Sequence, residues 1–432
     1  MNKKYIKKSL KYVWHPCSQM KDYESVPLIP IKKGRGSWLY DFEGKKYLDV
    51  TSSWWVNLFG HNNKTIKKYI KNQLDELEHS MLAGLTHNPV IELSEKLSKL
   101  TKLSHCSYGS DGSNAVEIAL KMSVQFWRQT GLPEKNKFVY LENSYHGETL
   151  GSLSVTDIPL FKSQYYSLMR PHIQTLSPDL RLKKANQSND DFMVSKLQGL
   201  AKIFEKKHSK IASIIIEPMV QGAAGMAIYD SSYLVGVREL CDKYKIHFIA
   251  DEIAVGFGRT GKMFAHQHAK VDPDFICLSK GLTGGYLPLS VTLTSDKIYK
   301  AFYHKQMNKA FLHSHSYTGN PLACSAALGT LSIFESDNIL KKNKIKSKSI
   351  NLMFTKLNTL AISNIRNIGM IWAFELNDGV ILDKAVEYCI EKGVLIRPIG
   401  RTFYFMPPYC LKDSEARFMI DVTYDAIKKA GG

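Results

Sequence analysis

The stretch FICLSKGLTGGYLPLS (275–290) decides the fold, because it joins a buried strand to a glycine-rich turn that carries a lysine. FICLS (275–279) is a nearly continuous apolar run, as expected of a parallel strand covered on both faces. Lys280 follows this strand directly, and three of the next five residues are glycines, which let backbone approach closely. Such a lysine is either a surface charge or a Schiff-base lysine whose amine is kept neutral by burial.

Similar apolar runs precede this one, and helical patterns separate them. The candidate strands are FVYLE (138–142), ASIIIEP (212–218) and HFIADE (247–252). Residues 113–127 and 231–244 have the apolar spacing of amphipathic helices. This alternation predicts an α/β domain with a mainly parallel sheet flanked by helices.

The ends of the chain differ from its middle. Residues 27–50 predict a hairpin-like unit, with two alternating runs that meet at Glu43-Gly44. The C-terminal third has the pattern helix, strands, helix, while the polar segment 177–195 is expected to be a surface excursion.

We therefore expect two domains built from three parts of the chain. Residues 61–325 are expected to form the large domain. Residues 1–60 and 326–432 are expected to join in a smaller α+β domain.

Composition argues against several classes of protein. The net charge is +18, but the lysines are spread along the chain, and the densest run (341–349) fits a solvated helical face. No segment combines Arg and Lys with stacking aromatics, so nucleic acid is not an expected partner. No apolar run is long enough to span a membrane, and the basic N-terminus lacks the apolar core of a secretory signal, which predicts a cytoplasmic protein.

The cysteines give no sign of a disulfide framework or a metal site. There are seven, an odd number, and none forms a C-x-x-C pair. Isolated spacing of this kind predicts reduced thiols and no zinc centre.

Asp251 ends the apolar run HFIA, 29 residues before Lys280. Ligands of open α/β sheets bind at the carboxyl ends of the strands, so both residues are expected at the same edge. A carboxylate just past a buried strand is either a helix cap or salt-bridge partner, or a functional acid. The neighbouring Glu252 is expected to be structural.

Two further motifs follow the same logic. GSDGSNAVEIALKM (109–122) is a Gly/Ser-rich turn that opens a helix, which predicts either a simple N-cap or a phosphate site at Gly112 and Ser113. Tyr145 and His146 follow the strand FVYLE, where an aromatic ring could stack on a planar cofactor.

Together, these four features match the needs of one cofactor. A phosphate cradle, a stacking ring, an acid and a lysine are what pyridoxal 5'-phosphate needs. The acid keeps the pyridine nitrogen protonated, and the lysine binds the cofactor and transfers the proton. The order and spacing of the four motifs predict a pyridoxal-phosphate enzyme with Lys280 as its lysine.

From IADEIAVGFGRTG to SKGLTGGYLPLS the sequence resembles the fold-type-I, class-III aminotransferases. WHPCSQM (14–20) and SSWWVNLFGH (52–61) are similar to the branch that converts 8-amino-7-oxononanoate to 7,8-diaminononanoate in biotin biosynthesis. The resemblance spans nearly the whole chain. It implies a ping-pong transamination with S-adenosyl-L-methionine as amino donor, in a homodimer with active sites at the subunit interface.

The resemblance also implies residue roles. The cofactor contacts would be Lys280, Asp251, Gly112, Ser113, Tyr145 and, across the dimer interface, His315 and Ser316. The substrate pocket would include Trp54, Trp55, Cys17, Ser314, Arg259, Tyr404 and Arg397. Arg397 would clamp the substrate carboxylate, a bidentate task for which a guanidinium is better suited than an ammonium group.

Departures from the family pattern leave the donor open. Cys17 stands where a tyrosine usually stacks on the donor's adenine, and Glu148 stands where aspartate is usual. HSYTGN (315–320) resembles the branch that uses lysine as donor. The alternatives are therefore the same reaction with lysine, another class-III enzyme acting on ornithine, 4-aminobutyrate or a diamine, or a related aminomutase.

Overall fold

The structure is a computed structural model that describes residues 1–24, 26 and 28–431. Pro27, the first residue of the predicted hairpin segment, and Gly432, the last of the predicted small domain, lie outside the described residues. The strands are β1 (Ile31–Arg35), β2 (Trp38–Asp41), β3 (Lys46–Asp49), β4 (His105–Gly109), β5 (Lys137–Leu141), β6 (Ile173–Thr175), β7 (Ile211–Ile216), β8 (Val220–Gln221), β9 (Ala227–Ile228), β10 (His247–Asp251), β11 (Phe275–Leu278), β12 (Ser290–Thr294), β13 (Ile362–Ile368), β14 (Ile371–Leu376), β15 (Val394–Leu395) and β16 (Thr402–Phe405).

Helices cover the sheets on both sides. They are α1 (Asn2–Tyr12), α2 (Ser52–Trp55), α3 (Lys64–Leu74), α4 (Asn88–Thr101), α5 (Gly112–Gln129), α6 (Leu150–Ser154), α7 (Pro159–Lys162), α8 (Asn189–Lys207), α9 (Ser232–Tyr244), α10 (Asp296–Lys300), α11 (Pro321–Asp337), α12 (Ile339–Phe354), α13 (Leu382–Glu391) and α14 (Asp413–Lys429). In the described residues no helix is long and apolar enough to cross a membrane.

The central sheet has seven strands in the order β4-β12-β11-β10-β7-β5-β6. Only β12 runs antiparallel to its neighbours. The predicted strands are confirmed as β5, β7, β10 and β11, and the predicted helices as α5 and α9. The strands β4, β6 and β12 were not predicted, because they are short or mix polar with apolar residues and lack a continuous apolar run.

One buried lysine ties the amino ends of three neighbouring strands together. Lys135 Nζ donates to the carbonyls of His208, Ile211 and Lys245, at 2.8, 3.0 and 2.8 Å. Lys135 lies just before β5, His208 and Ile211 lie at or just before the start of β7, and Lys245 lies just before β10. Burial lowers the pKa of Lys135 to about 8, and the three carbonyls compensate for the lost hydration of the amine.

A second sheet joins the two ends of the chain. The predicted hairpin is confirmed, since β2 and β3 pair antiparallel on either side of Glu43-Gly44. β1 adds to this pair on one side, and β15 adds parallel to β3 on the other. The strands β13, β14 and β16 form a further antiparallel sheet. The division of the chain into domains at residues 60 and 325 stays a prediction.

The segment 177–195 is the surface excursion that its polarity suggested only in its middle part, 182–191, while residues near both of its ends are buried. Ser177 and Asp179 are buried, and α8 begins within the segment and buries Phe192 and Met193. Ser177 donates to Gln221 at 2.5 Å, so a buried hydrogen bond satisfies the polar side chain. Polarity therefore predicted the exposed middle of the segment but not the burial of Ser177 and Asp179, because polar groups are tolerated inside when they are paired.

We predict that Lys135→Met destabilises the protein by at least about 3 kcal/mol, because buried carbonyls lose a charged donor. Lys137→Met is the matched control, since Lys137 Nζ donates to one exposed carbonyl, that of Pro171. The midpoints of urea unfolding of the two variants and the unaltered chain give the comparison. Equal midpoints for both variants would contradict the role of Lys135.

Candidate active site

A cavity of about 740 Å³ opens at the carboxyl edge of the central sheet. Its wall brings together residues from six segments that are far apart in sequence. Among its lining residues are Trp55, Asp111, Gly112, Ser113, Tyr145, His146, Glu148, Glu217, Asp251, Ser279 and Lys280. Six of the sequence-predicted site residues, Lys280, Asp251, Tyr145, Gly112, Ser113 and Trp55, therefore share one cavity.

Lys280 follows β11 in a left-handed backbone conformation, with a φ of 44°. Its Nζ lies 5.3 Å from the centre of the Trp55 ring, and it makes no ion pair with a carboxylate in the described part of the chain. Burial lowers the pKa of Lys280, and the negative charges of Asp251 and Glu217 oppose that shift. The amine is thus biased towards its neutral, nucleophilic form.

The glycines after Lys280 let the backbone of this turn approach another segment closely, as the sequence suggested. Gly285 has a φ of +85°, and a Cβ atom there would lie 3.0 Å from the Asn57 Cα. A side chain at this position would push the turn away from the segment that carries Trp55.

Asp251 is buried and held in one orientation. Its Oδ2 accepts from the Nδ1–H of His146 at 2.7 Å, and its Oδ1 accepts from the backbone N–H of Ile253 at 3.1 Å. The other ring nitrogen of His146, Nε2, is buried without a hydrogen-bond partner. The neighbouring Glu252 lies outside the cavity lining and accepts from the backbone of Ala265 and His266, which fits the structural role expected for it.

The start of α5 forms another part of the cavity wall. Asp111 caps the helix by accepting from the N–H of Asn114 at 3.1 Å. A Cβ atom at Gly112 would lie 3.0 Å from Ile253, so glycine lets the helix start pack against the residue that follows Asp251. Ser113 Oγ is hydrogen-bonded to the hydroxyls of Thr149 and Ser152, at 2.8 and 2.6 Å. The helix N-terminus therefore offers N–H groups and a positive dipole end to an anion.

Tyr145 lies between two carboxyl groups. Its hydroxyl donates to Glu148 at 2.9 Å, and its backbone N–H donates to Glu217 at 3.1 Å. Burial raises the pKa of Tyr145, and Glu148 raises it further, so the phenol stays protonated. Its ring meets the Phe161 ring edge-on at 5.7 Å.

Trp54 and Trp55 lie in a left-handed turn. Ser52, Ser53, Trp54 and Trp55 all have positive φ values, from 46° to 72°. Such a conformation costs roughly 1–2 kcal/mol per residue for L-amino acids. Asp49 stabilises it, because its carboxylate accepts from the N–H and Oγ–H of Ser53, at 2.9 and 2.7 Å.

Trp54, Arg397 and Cys17 are not among the residues that line the cavity. Arg397 Nη2 donates to the Cys17 carbonyl at 2.8 Å, and its guanidinium lies 5.0 Å from the Trp54 ring centre. Burial raises the pKa of the Cys17 thiol, Glu148 raises it further, and Arg397 opposes the shift. The N-terminal segment therefore contacts Arg397, beside the cavity mouth, through the backbone carbonyl of Cys17.

Arg259 and Tyr404 do not line the cavity either. Arg259 is fully buried and donates to the carbonyls of Met406, Pro407, Trp55 and Asn57. Tyr404 contacts the Trp55 ring edge-on at 6.0 Å. Both residues therefore support the wall that carries Trp55 from behind.

The segment that carries Ser314, His315 and Ser316 is also absent from this chain's cavity lining. Ser314 and Ser316 are exposed. His315 Nδ1 is hydrogen-bonded to Ser110 Oγ at 3.1 Å, in the loop that leads into α5. These side chains lie at the surface beside the cradle, and not within it.

Glu217 is the site residue that the sequence reasoning missed. It is buried, lines the cavity and accepts from the N–H groups of Tyr145 and Gly222. Burial raises its pKa to about 7, with Asp251 raising it and His146 lowering it. The signal was present in the sequence, because Glu217 directly follows the apolar strand ASIII as Asp251 follows HFIA.

The residues of this cavity fit pyridoxal 5'-phosphate. The Lys280 amine has no ion-pair partner among the described residues, and Asp251 is a fixed, buried acid. The start of α5 at Gly112 offers N–H groups to a phosphate, and Tyr145 supplies an aromatic ring. In the described residues no group of histidine, cysteine and carboxylate side chains is arranged to hold a metal ion.

The comparisons with known proteins agree with this chemistry. The family model for class-III aminotransferases matches residues 19–427. A relative from Helicobacter pylori, an adenosylmethionine-8-amino-7-oxononanoate aminotransferase, is 46% identical over 94% of this chain and 94% of its own. The solved structure of the Methanocaldococcus jannaschii enzyme of the same name is 36% identical, covers 100% of both chains and has a TM-score of 0.93.

A third similar protein carries the cofactor itself. The solved structure of an amine transaminase from an uncultivated Pseudomonas species, in its PLP-bound form, is 29% identical, with a TM-score of 0.91 over 97% of this chain and 99% of its own. The chain therefore belongs to the class-III aminotransferases, which are transaminases that depend on pyridoxal 5'-phosphate.

Proposed function

We propose that this chain converts 8-amino-7-oxononanoate to 7,8-diaminononanoate, a step of biotin biosynthesis, with S-adenosyl-L-methionine as amino donor. The observation that carries the proposal is the full-length similarity to relatives named for this reaction. The cavity supports it, because Lys280 and Asp251 lie together at its floor. Production of 7,8-diaminononanoate from the two substrates, measured by mass spectrometry, tests it, and absence of product with either S-adenosylmethionine or lysine as donor would refute it.

Five residues would hold the cofactor. Lys280 would bind it through its Nζ, Asp251 would pair with the pyridine nitrogen, and the start of α5 at Gly112 and Ser113 would bind the phosphate. Tyr145 would pack beside the ring. When bound, pyridoxal 5'-phosphate supplies an electron sink that stabilises negative charge on the substrate carbon.

The proton transfers would fall to Lys280. Its amine is biased towards the neutral form by burial, so Nζ can accept a proton from the donor substrate's carbon. In the second half-reaction the same amine would return a proton to 8-amino-7-oxononanoate. Asp251, oriented by His146, would hold the proton at the pyridine nitrogen throughout both halves.

Substrate recognition would lie at the mouth of the cavity. Trp54 and Trp55 would line the path of the aliphatic chain, and Arg397 would clamp the terminal carboxylate. Arg397 already donates to the carbonyl of Cys17, so a carboxylate would share or replace that acceptor. Arg259 and Tyr404 would act from behind the wall by keeping Trp55 in place.

The active unit would be a homodimer in the cytoplasm. Ser316 and His315 are absent from this chain's cavity lining, and Ser316 is exposed. In the proposed dimer they would reach the phosphate held by the other subunit, as the family resemblance implies. Ser314 would lie beside them at the substrate entrance.

Lysine is the alternative donor. Cys17 cannot stack on an adenine ring, and its thiol lies near Glu148 and Arg397. Glu148 offers a negative charge at the mouth that could attract either the sulfonium of S-adenosylmethionine or the ammonium groups of lysine.

We predict that Lys280→Ala lowers turnover by at least about a thousandfold, because it removes the proposed proton-transfer group. The variant should keep the cofactor only by noncovalent contacts, so the visible absorbance of the bound cofactor should change. Lys270→Ala is the control, since Lys270 is an exposed lysine that also has a positive φ. Full turnover in the Lys280 variant would refute the assignment.

We predict that Arg397→Ala raises the KM for 8-amino-7-oxononanoate roughly tenfold or more and leaves kcat nearly unchanged, because the clamp acts equally in ground and transition states. Steady-state kinetics at saturating donor give both constants. Arg417→Ala, at an exposed position on α14, is the control. An unchanged KM would remove Arg397 from the substrate site.

We predict that the enzyme with bound pyridoxal 5'-phosphate reacts with S-adenosylmethionine and not with lysine when each is added alone. Conversion of the bound cofactor to its amine form is followed by absorbance. Cys17→Tyr should lower the concentration of S-adenosylmethionine needed for half conversion, because a ring is restored for stacking. Conversion by lysine alone would establish the alternative donor, and an unaltered half-conversion concentration would exclude position 17 as a donor contact.

A further inference from the structure

Glu217 has a position that the proposed mechanism does not use. It directly follows β7, and β7 pairs with β10, so it lies beside Asp251 at the same edge of the sheet. The carboxyl group is inside the cavity lining, and only 4% of the residue is exposed. A carboxylate this deeply buried needs a compensating role, because its desolvation is costly.

The hydrogen bonds of Glu217 join two walls of the cavity. Its Oε2 accepts from the N–H of Tyr145 at 3.1 Å, which fixes the loop after β5. Its Oε1 accepts from the N–H of Gly222 at 2.9 Å, which fixes the turn before β9. A Cβ at Gly222 would lie 3.1 Å from the Trp55 ring, so this turn forms the surface against which Trp55 packs.

The charged groups around Glu217 come from three strand ends. The titratable groups that face it are those of Tyr145 and His146 after β5, Asp251 at the end of β10, and Lys280 after β11. Later in the chain, the Tyr229 hydroxyl donates to the backbone carbonyl of Glu217. A negative charge on Glu217 therefore adds to that of Asp251 in stabilising a cation at Lys280.

We propose that Glu217 is a positioning residue of this site, whose carboxylate fixes Tyr145 and the Gly222 turn and places a second negative charge beside Asp251 and Lys280. The inference rests on the proposed cofactor-binding role of Lys280. It goes beyond that role, because it assigns a second acid to the electrostatics of the same site. Since burial raises the pKa of Glu217 to about 7, its charge is present above that pH and is lost as the pH falls through it.

The test is a pH titration of the visible absorbance of the holoenzyme, which reports the protonation of the group joined to Lys280 Nζ. In Glu217→Gln the lost negative charge should lower the apparent pKa of that transition by about one unit or more. Glu217→Asp keeps the charge with a shorter reach, so its transition should stay near that of the unaltered chain. Both measurements need bound cofactor but no turnover.

Glu252→Gln is the matched control, because Glu252 is equally buried and accepts two backbone N–H groups but lies outside the cavity lining. It should lower the unfolding temperature and leave the titration unchanged. Titration curves of Glu217→Gln that coincide with those of the unaltered chain, or a displaced curve in Glu217→Asp, would overturn the role of Glu217 alone. A holoenzyme without any visible absorbance from the cofactor would instead overturn the proposed function, and this inference with it.

Discussion

The buried pair of Asp251 and His146 is the interaction on which the site depends. Two polar groups that are almost inaccessible to solvent can persist at a strand end only if they satisfy each other, and they do so at 2.7 Å. The pairing fixes the direction of the carboxylate at the floor of the cavity. His146 uses only its Nδ1 in this pair, and its Nε2 is buried without a hydrogen-bond partner among the described residues.

The chemistry of Lys280 follows from that constraint. The amine lies over Trp55, which desolvates it, while Asp251 and Glu217 are near enough to favour its charged form. Burial outweighs these charges and lowers the pKa of Lys280, so the amine is biased towards the neutral form that can accept a proton. The left-handed turn at 52–55 places the Trp55 ring against Lys280, so the strained backbone of the turn helps to desolvate the amine. Asp49 and the buried guanidinium of Arg259 hold the turn in that conformation.

Much of the fold and of the site was predictable from local patterns. Continuous apolar runs predicted β5, β7, β10 and β11, because strands covered on both faces need such runs. The same edge logic placed Asp251 and Lys280 together. It holds equally for Glu217, which follows β7 in the same way and was not predicted. In the segment 177–195, polarity predicted the exposed middle but not the burial of Ser177, whose hydroxyl is paired with Gln221.

The sequence by itself determined the family and the cofactor, because both depend on short motifs at strand ends. Only the tertiary structure decided which residues act together across long separations in the chain. Arg259 was expected in the substrate pocket, yet its guanidinium is occupied by four backbone carbonyls from two distant segments. The charge state of Lys280 was likewise undetermined, because it is set by Asp251, Glu217 and Trp55, whose proximity no local pattern encodes. Desolvation and Coulomb interactions depend on distance in space, and the fold alone sets those distances.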